Sequence, residues 1–89
     1  MDNRMIMQKN AATLKKEMKD KLYRHFKGGL YRVIDIGIHS EDENLLVIYQ
    51  SESDHNLVWV RPYDMFMSKV DKKKYPDAKQ EYRFEQVEE

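Results

Sequence analysis

The sequence contains no cysteine, which removes disulfides, thiolate metal sites and cysteine nucleophiles together. No apolar run approaches the roughly 18 residues that a membrane-spanning helix needs. The opening Met1-Asp2-Asn3-Arg4 lacks the apolar core of a secretory signal. Glycine and proline are scarce, at three and two residues, and no internal repeat or extended low-complexity tract appears. The three histidines, His25, His39 and His55, show none of the HxH, HxxxH or HExxH spacings that converge on a metal. These absences predict a soluble cytoplasmic protein that does not enter the membrane and holds no metal or cofactor.

With 89 residues the chain has room for one domain. A chain this short buries only about 60% of the surface its unfolded form exposes. Charged residues make up 36%, above the usual value of about 25%, but the apolar ones concentrate between Leu22 and Val70, where they can share one core. The formal net charge is zero and unevenly spread. Six basic residues face three acidic ones in residues 1–21, while four face seven in residues 22–68. A duplex-DNA binder usually carries a basic stripe, and the mildly acidic centre argues against that class.

Met7, Ala11, Leu14, Met18 and Leu22 recur at spacings of four, three, four and four, predicting a helix over about Met5–Lys21 with one thin apolar stripe. The stripe suits packing on the rest of the chain or on a second copy, as a homodimer. Residues 1–21 therefore read as a helical extension and 22–89 as one β domain. Tyr23-Arg24-His25-Phe26 is a short aromatic strand, followed by the turn Lys27-Gly28-Gly29. Leu30 to His39 alternates, with Leu30, Arg32, Ile34, Ile36 and Ile38 predicted inward, and Gly37 marking a bulge or bend. Leu45 to Gln50 is nearly continuous apolar sequence, as in a strand covered on both sides. Leu57 to Arg61 alternates again, Pro62 starts a helical turn through Phe66, and Met67 to Val70 returns to the sheet. Residues 71–81 are a lysine-rich loop, and Tyr82 to Val87 alternates as a last edge strand. The expected fold is mostly β: an SH3-like antiparallel barrel of five or six short strands with an N-terminal helix, closed so that no edge stays bare.

Taken together, Tyr23-Arg24-His25-Phe26-Lys27-Gly28-Gly29-Leu30-Tyr31, His39-Ser40-Glu41, Leu46-Val47-Ile48-Tyr49, Trp59-Val60-Arg61-Pro62 and Met65-Phe66 resemble a small bacterial family of unknown function, number 1653. The resemblance covers about residues 23–66 and implies a compact β domain. The segment Ser51 to Asn56 departs from the family in having no glycine. The family carries no assigned activity, so function has to be read from the residues.

Consecutive residues on a strand point to alternate faces, so His39-Ser40-Glu41 cannot form a nucleophile–base chain, and its ordinary role is a turn cap. Arg61 has two readings. It bonds a carboxylate such as Asp64, or it offers its fork to a ligand carboxylate or phosphate. Phe26, Phe66 and Trp59 are expected in the core, and Tyr31, Tyr49 or Tyr63 in a groove. With Arg24, Lys27, Arg32 and Arg61 nearby, that groove would suit single-stranded nucleic acid, although the acidic turn Glu41-Asp42-Glu43 opposes it. Lys72-Lys73-Lys74 before Tyr75-Pro76 reads as a solvated loop or a phosphate contact. The residues thus predict a noncatalytic binding module for a protein segment, a small anionic ligand or nucleic acid. Its surface is formed by Tyr31, Tyr49, Trp59, Arg61, His39 and Arg24. The alternative is an enzyme acting on a small phosphorylated or carboxylated molecule through Arg61 with His25 or His39.

Overall fold

The computed structural model describes residues 3–89, with side chains from Asn10 onward. The helix α1 spans Asn3–Met18. Ala11 and Met18 are buried and Leu14 packs beside them, so the predicted stripe lies on the chain's own sheet. The side chain of Met7 lies outside the described residues. The helix stops at Asp20, whose φ of 68° is the left-handed conformation that aspartate tolerates better than most residues. The exit is then tied to the sheet, because the Asp20 N–H donates to the Val33 carbonyl at 2.8 Å and the Val33 N–H to that of Lys21 at 3.0 Å.

Five strands follow: β1 (Leu22–His25), β2 (Leu30–Ile38), β3 (Leu45–Ser51), β4 (Val58–Pro62) and β5 (Phe84–Gln86), with a one-turn helix α2 (Tyr63–Phe66) after β4. All pairings are antiparallel, in the order β4-β3-β2-β1-β5. The expected barrel is therefore corrected to one open sheet. Closure would require β4 to pair with β5. Instead, Pro62 ends β4 without an amide hydrogen and the chain turns into α2. Phe66 then fills the concave side that a closed barrel would have enclosed, and it is fully buried. The segment 67–70 reaches the sheet region only as an isolated bridge between Lys69 and Tyr82.

The inward row of β2 also differs from the simple alternation. The register against β3 shifts between Val33 and Asp35. An extra residue in one strand reverses the phase of every side chain beyond it. Val33 and Ile36 are the buried residues, so the row runs through Tyr31 and Val33, skips two positions and resumes at Ile36. Gly37 is not the bulge; it pairs regularly with Leu46, and the Ile48 side chain lies 3.5 Å from where its Cβ would be. β3 is fully buried on one face only, through Val47, Tyr49 and Ser51, and its other side chains are half-buried.

The core face unites Val33, Ile36, Val47 and Tyr49 of the sheet with Phe84, Tyr23, Phe66, Ala11 and Met18. Phe66 stacks on Phe84 with ring centroids 4.1 Å apart and meets Tyr23 and Tyr49 edge-on at 5.3 Å each. On the other face, Arg32 bonds Glu52 at 2.9 Å, Glu89 at 2.7 Å and the Asp20 carbonyl at 2.8 Å. One guanidinium thus ties β2, the turn after β3, the helix exit and the C-terminal residue. Among the described residues no helix is long and apolar enough to cross a membrane.

Candidate functional site

The candidate site grows from the same face that builds the core, at the end where helix cover runs out. Register fixes its members. Tyr49 lies opposite Trp59, Val47 opposite Arg61, and His25 opposite Phe84. Side chains directly opposite in an antiparallel pair share a face. Tyr31, two residues before Val33, joins them from β2. The β1–β2 turn supports it, because Gly28 and Gly29 have φ of 98° and 88°, a conformation that favours glycine. A Cβ on Gly29 would stand in ordinary contact with the Tyr31 ring, at 3.4 Å, so it is the positive φ and not lack of space that favours glycine there. His25, Tyr31, Tyr49, Trp59, Arg61 and Phe84 together line a cavity of about 130 Å³.

Among the described residues Arg61 is the only permanent charge on that wall. Its Nε–H donates to the Tyr49 hydroxyl at 3.2 Å, and its guanidinium carbon lies 6.0 Å from the Phe84 ring centroid. Among the described residues it bonds no carboxylate, and the predicted pair with Asp64 does not form. The two terminal nitrogens keep their donors. Arg32 is the internal contrast, with two carboxylates and a carbonyl around it.

A second cleft of about 480 Å³ adjoins the first, with His25 and Arg61 on the shared wall. It adds Lys27, Lys74, Tyr75 and Arg83. The Arg83 Nε–H donates to the Ser68 hydroxyl at 3.2 Å. The Lys27 and Lys74 ammonium groups lie 4.8 and 5.5 Å from the Tyr75 ring centroid. The one carboxylate on this wall, Asp71, accepts the backbone N–H groups of Lys73 at 3.0 Å and Lys74 at 3.4 Å, which turns it toward its own loop. Four permanent cations, Lys27, Arg61, Lys74 and Arg83, therefore converge against one carboxylate, in a chain whose net charge is zero.

The titrating groups register this field. His25 has its pKa lowered, first by burial and then by Arg61, Arg83 and Lys27. Its Nδ1 accepts the Lys27 backbone N–H at 3.1 Å, so the neutral ring carries its proton on Nε2. The Tyr75 hydroxyl is pulled below the usual phenol value, first by a hydrogen bond from Lys27 and then by Lys27 and Lys74 charge. An expected result follows for His25. Its folded pKa lies below its unfolded value of about 6.5, so as pH falls through that value the unfolded state takes up the proton first and the fold loses stability. An anion bound beside the ring would favour the imidazolium and raise the His25 pKa again. An NMR titration of the ring protons with and without 50 mM phosphate, a concentration of roughly the size weak anion sites need, checks both; a midpoint unchanged by phosphate would contradict the second.

The residues predicted from sequence divide cleanly. Tyr31, Tyr49, Trp59 and Arg61 come together on one wall. Trp59 is not the expected core anchor; it is 47% exposed, because β4 is the sheet edge. Phe26 is likewise only half-buried and stands edge-on to Tyr75 at 5.0 Å. Arg24 alternates away from Tyr23 and His25 and is exposed. His39 sits in the β2–β3 turn, where its Nδ1 accepts the Glu41 N–H at 3.1 Å, and the structure does not bring it to either cavity. Phe84 and Arg83 were missed as site residues, since their segment carried only an edge-strand signal. Lys74 and Tyr75 did carry one, a lysine run before Tyr-Pro. Among the described residues no group of three histidine or acidic side chains could hold a metal ion.

Comparison with known proteins places residues 21–86 in the family described as "Protein of unknown function (DUF1653)", and the chain belongs to it. The match runs past the resemblance at residues 23–66 to include β5. No curated protein and no solved structure gives a match.

Proposed function

We propose that this member of a family of unknown function is a noncatalytic binding module for a small ligand bearing an anionic group. The supporting observation is Arg61, a guanidinium with no carboxylate partner, set among Tyr31, Tyr49, Trp59 and Phe84. An arginine fork matches carboxylate and phosphate geometry and is less heavily hydrated than an ammonium group. The Tyr49 hydroxyl and the Phe84 face hold it ready, which limits the ordering cost of binding. The surrounding rings leave room for an apolar portion of the same ligand.

The only tryptophan lies on this wall, so its fluorescence reports on the site. Inorganic phosphate added to the whole chain at low salt is expected to change that signal and saturate. Arg61→Ala should weaken the interaction by about tenfold or more, as expected for a lost charged hydrogen bond, with Arg61→Lys in between. A signal indifferent to phosphate, or identical in the alanine variant, would remove the reading.

A second reading, an enzyme acting on a phosphorylated or carboxylated molecule, is supported by one observation. His25, neutral and lowered in pKa, stands on the wall it shares with Arg61. No carboxylate or aliphatic hydroxyl lines the aromatic cavity, so proton transfer there would fall to His25 and the phenols of Tyr31 and Tyr49. A His25→Gln variant that binds phosphate as before, with no turnover of phosphate esters by the parent, supports the noncatalytic reading.

A further inference from the structure

The two cavities share a wall, and their chemistries differ in a way that describes one ligand. The first is aromatic, with a volume of about 130 Å³. An apolar cavity of about 150 Å³ accepts benzene, so a single six-membered ring fits the aromatic pocket. The second is polar and larger, about 480 Å³, and holds Lys27, Lys74 and Arg83. It continues past Lys27, Lys74 and Tyr75 into a further recess of about 290 Å³. Arg61 and His25 stand where ring pocket and basic cleft meet.

We infer that the aromatic pocket and the basic cleft form one bipartite site for a nucleoside phosphate, its pyrimidine-sized ring against Trp59 and its phosphates among Arg61, Lys27, Lys74 and Arg83. The inference rests on the anion-binding reading above and deepens it. Trp59 is half-exposed on the edge strand and lines the pocket, so its ring can offer a stacking partner, and stacking is tolerant of ring identity. The Tyr49 hydroxyl and the imidazole Nε2–H offer polar partners to ring edges. The sugar accounts for the distance between ring and charge. A phosphate carried directly on the ring would stop at Arg61 and leave Lys27, Lys74 and Arg83 without a counter-ion. Four cations against the single, loop-directed Asp71 suit the multiple charges of a diphosphate.

The same chemistry reaches the protein from two sources, a free nucleotide or the end of a single strand, and the test separates them. Uridine diphosphate, uridine monophosphate, uridine, pyrophosphate, a uridine hexanucleotide and O-phosphotyrosine are each titrated into the full chain at low salt, with calorimetry alongside Trp59 fluorescence. Uridine diphosphate is expected to bind at least about tenfold more tightly than either uridine or pyrophosphate, the gain that a stacked ring supplies. Trp59→Ala should lose that gain and leave pyrophosphate binding as it was. Arg83→Ala should weaken the diphosphate by about tenfold and uridine not at all. A hexanucleotide that binds more tightly than the diphosphate assigns the site to a strand, and an equal affinity assigns it to the free nucleotide. If pyrophosphate matches uridine diphosphate, or phosphotyrosine exceeds it, the nucleoside inference falls and the anion reading stands. If none of the anions binds, both fall.

Discussion

Replacing Phe66 with alanine is expected to lower the unfolding free energy by about 3–5 kcal/mol, the range for a phenylalanine removed from a packed core. Phe66 is fully buried, stacks on Phe84 at 4.1 Å and meets Tyr23 and Tyr49 edge-on. A one-turn helix carries it, starting directly after Pro62. No neighbouring element can slide into the gap without breaking that connection. A chain of this length has a total stability of about 4–13 kcal/mol at typical values per residue, so the variant should lose between about a quarter and all of it. Urea denaturation checks this, and a loss under about 1 kcal/mol would show that the core closes around the deletion. Phe66 lines neither cavity, so the fraction that stays folded should bind phosphate as the parent does.

Phe84→Ala should cost a similar amount, about 3–5 kcal/mol, for a reason that also touches the site. The Phe84 ring is buried in β5, contacts Phe66, Tyr49, Tyr31 and His25, and forms the floor of the aromatic cavity beneath Arg61. Its loss opens the core to the pocket and removes the face that holds the guanidinium. Here the folded fraction should bind anions poorly, unlike the Phe66 variant. Phe84→Leu separates the two effects. An apolar replacement of comparable bulk usually costs under about 1.5 kcal/mol, yet it supplies no aromatic face. A leucine variant that is stable and binds phosphate normally would show that Phe84 serves the core alone.

Alternation along β4 was read correctly, with Trp59 and Arg61 on one face and Val58 and Val60 on the other. Whether that face is inside could not be read from it. Trp59 stands directly opposite the buried Tyr49, yet it is half open because β4 is the edge of the sheet. The reading of β2 failed through a single extra residue near Ile34, since periodicity assumes an unbroken register and a bulge resets it. Phe84 escaped notice as a site residue for another reason. Alternation over Tyr82 to Val87 marks an edge strand but not what it docks against, and the importance of Phe84 comes from pairing with β1. Arg83 and Lys74 are distant in sequence from Arg61, and only the loop from Val70 to Tyr82 folding back on the β1–β2 turn puts their charges together.

The sequence by itself determined the mostly β class, the N-terminal helix and its packing stripe, the positions of the five strands, and the family. Each of these is a local property: period, turn chemistry, or the order of short blocks. It also offered Tyr31, Tyr49, Trp59, Arg61, His39 and Arg24 as candidate site residues, of which the first four share one wall. Only the tertiary structure decided that the sheet stays open, that Trp59 is half-exposed at its edge, and that Arg61 is left without a carboxylate among the described residues. Closure, edge exposure and charge pairing depend on which distant segments meet. Here β5 docks beside β1 rather than β4, so the aromatic edge and the basic loop border adjoining cavities that share His25 and Arg61.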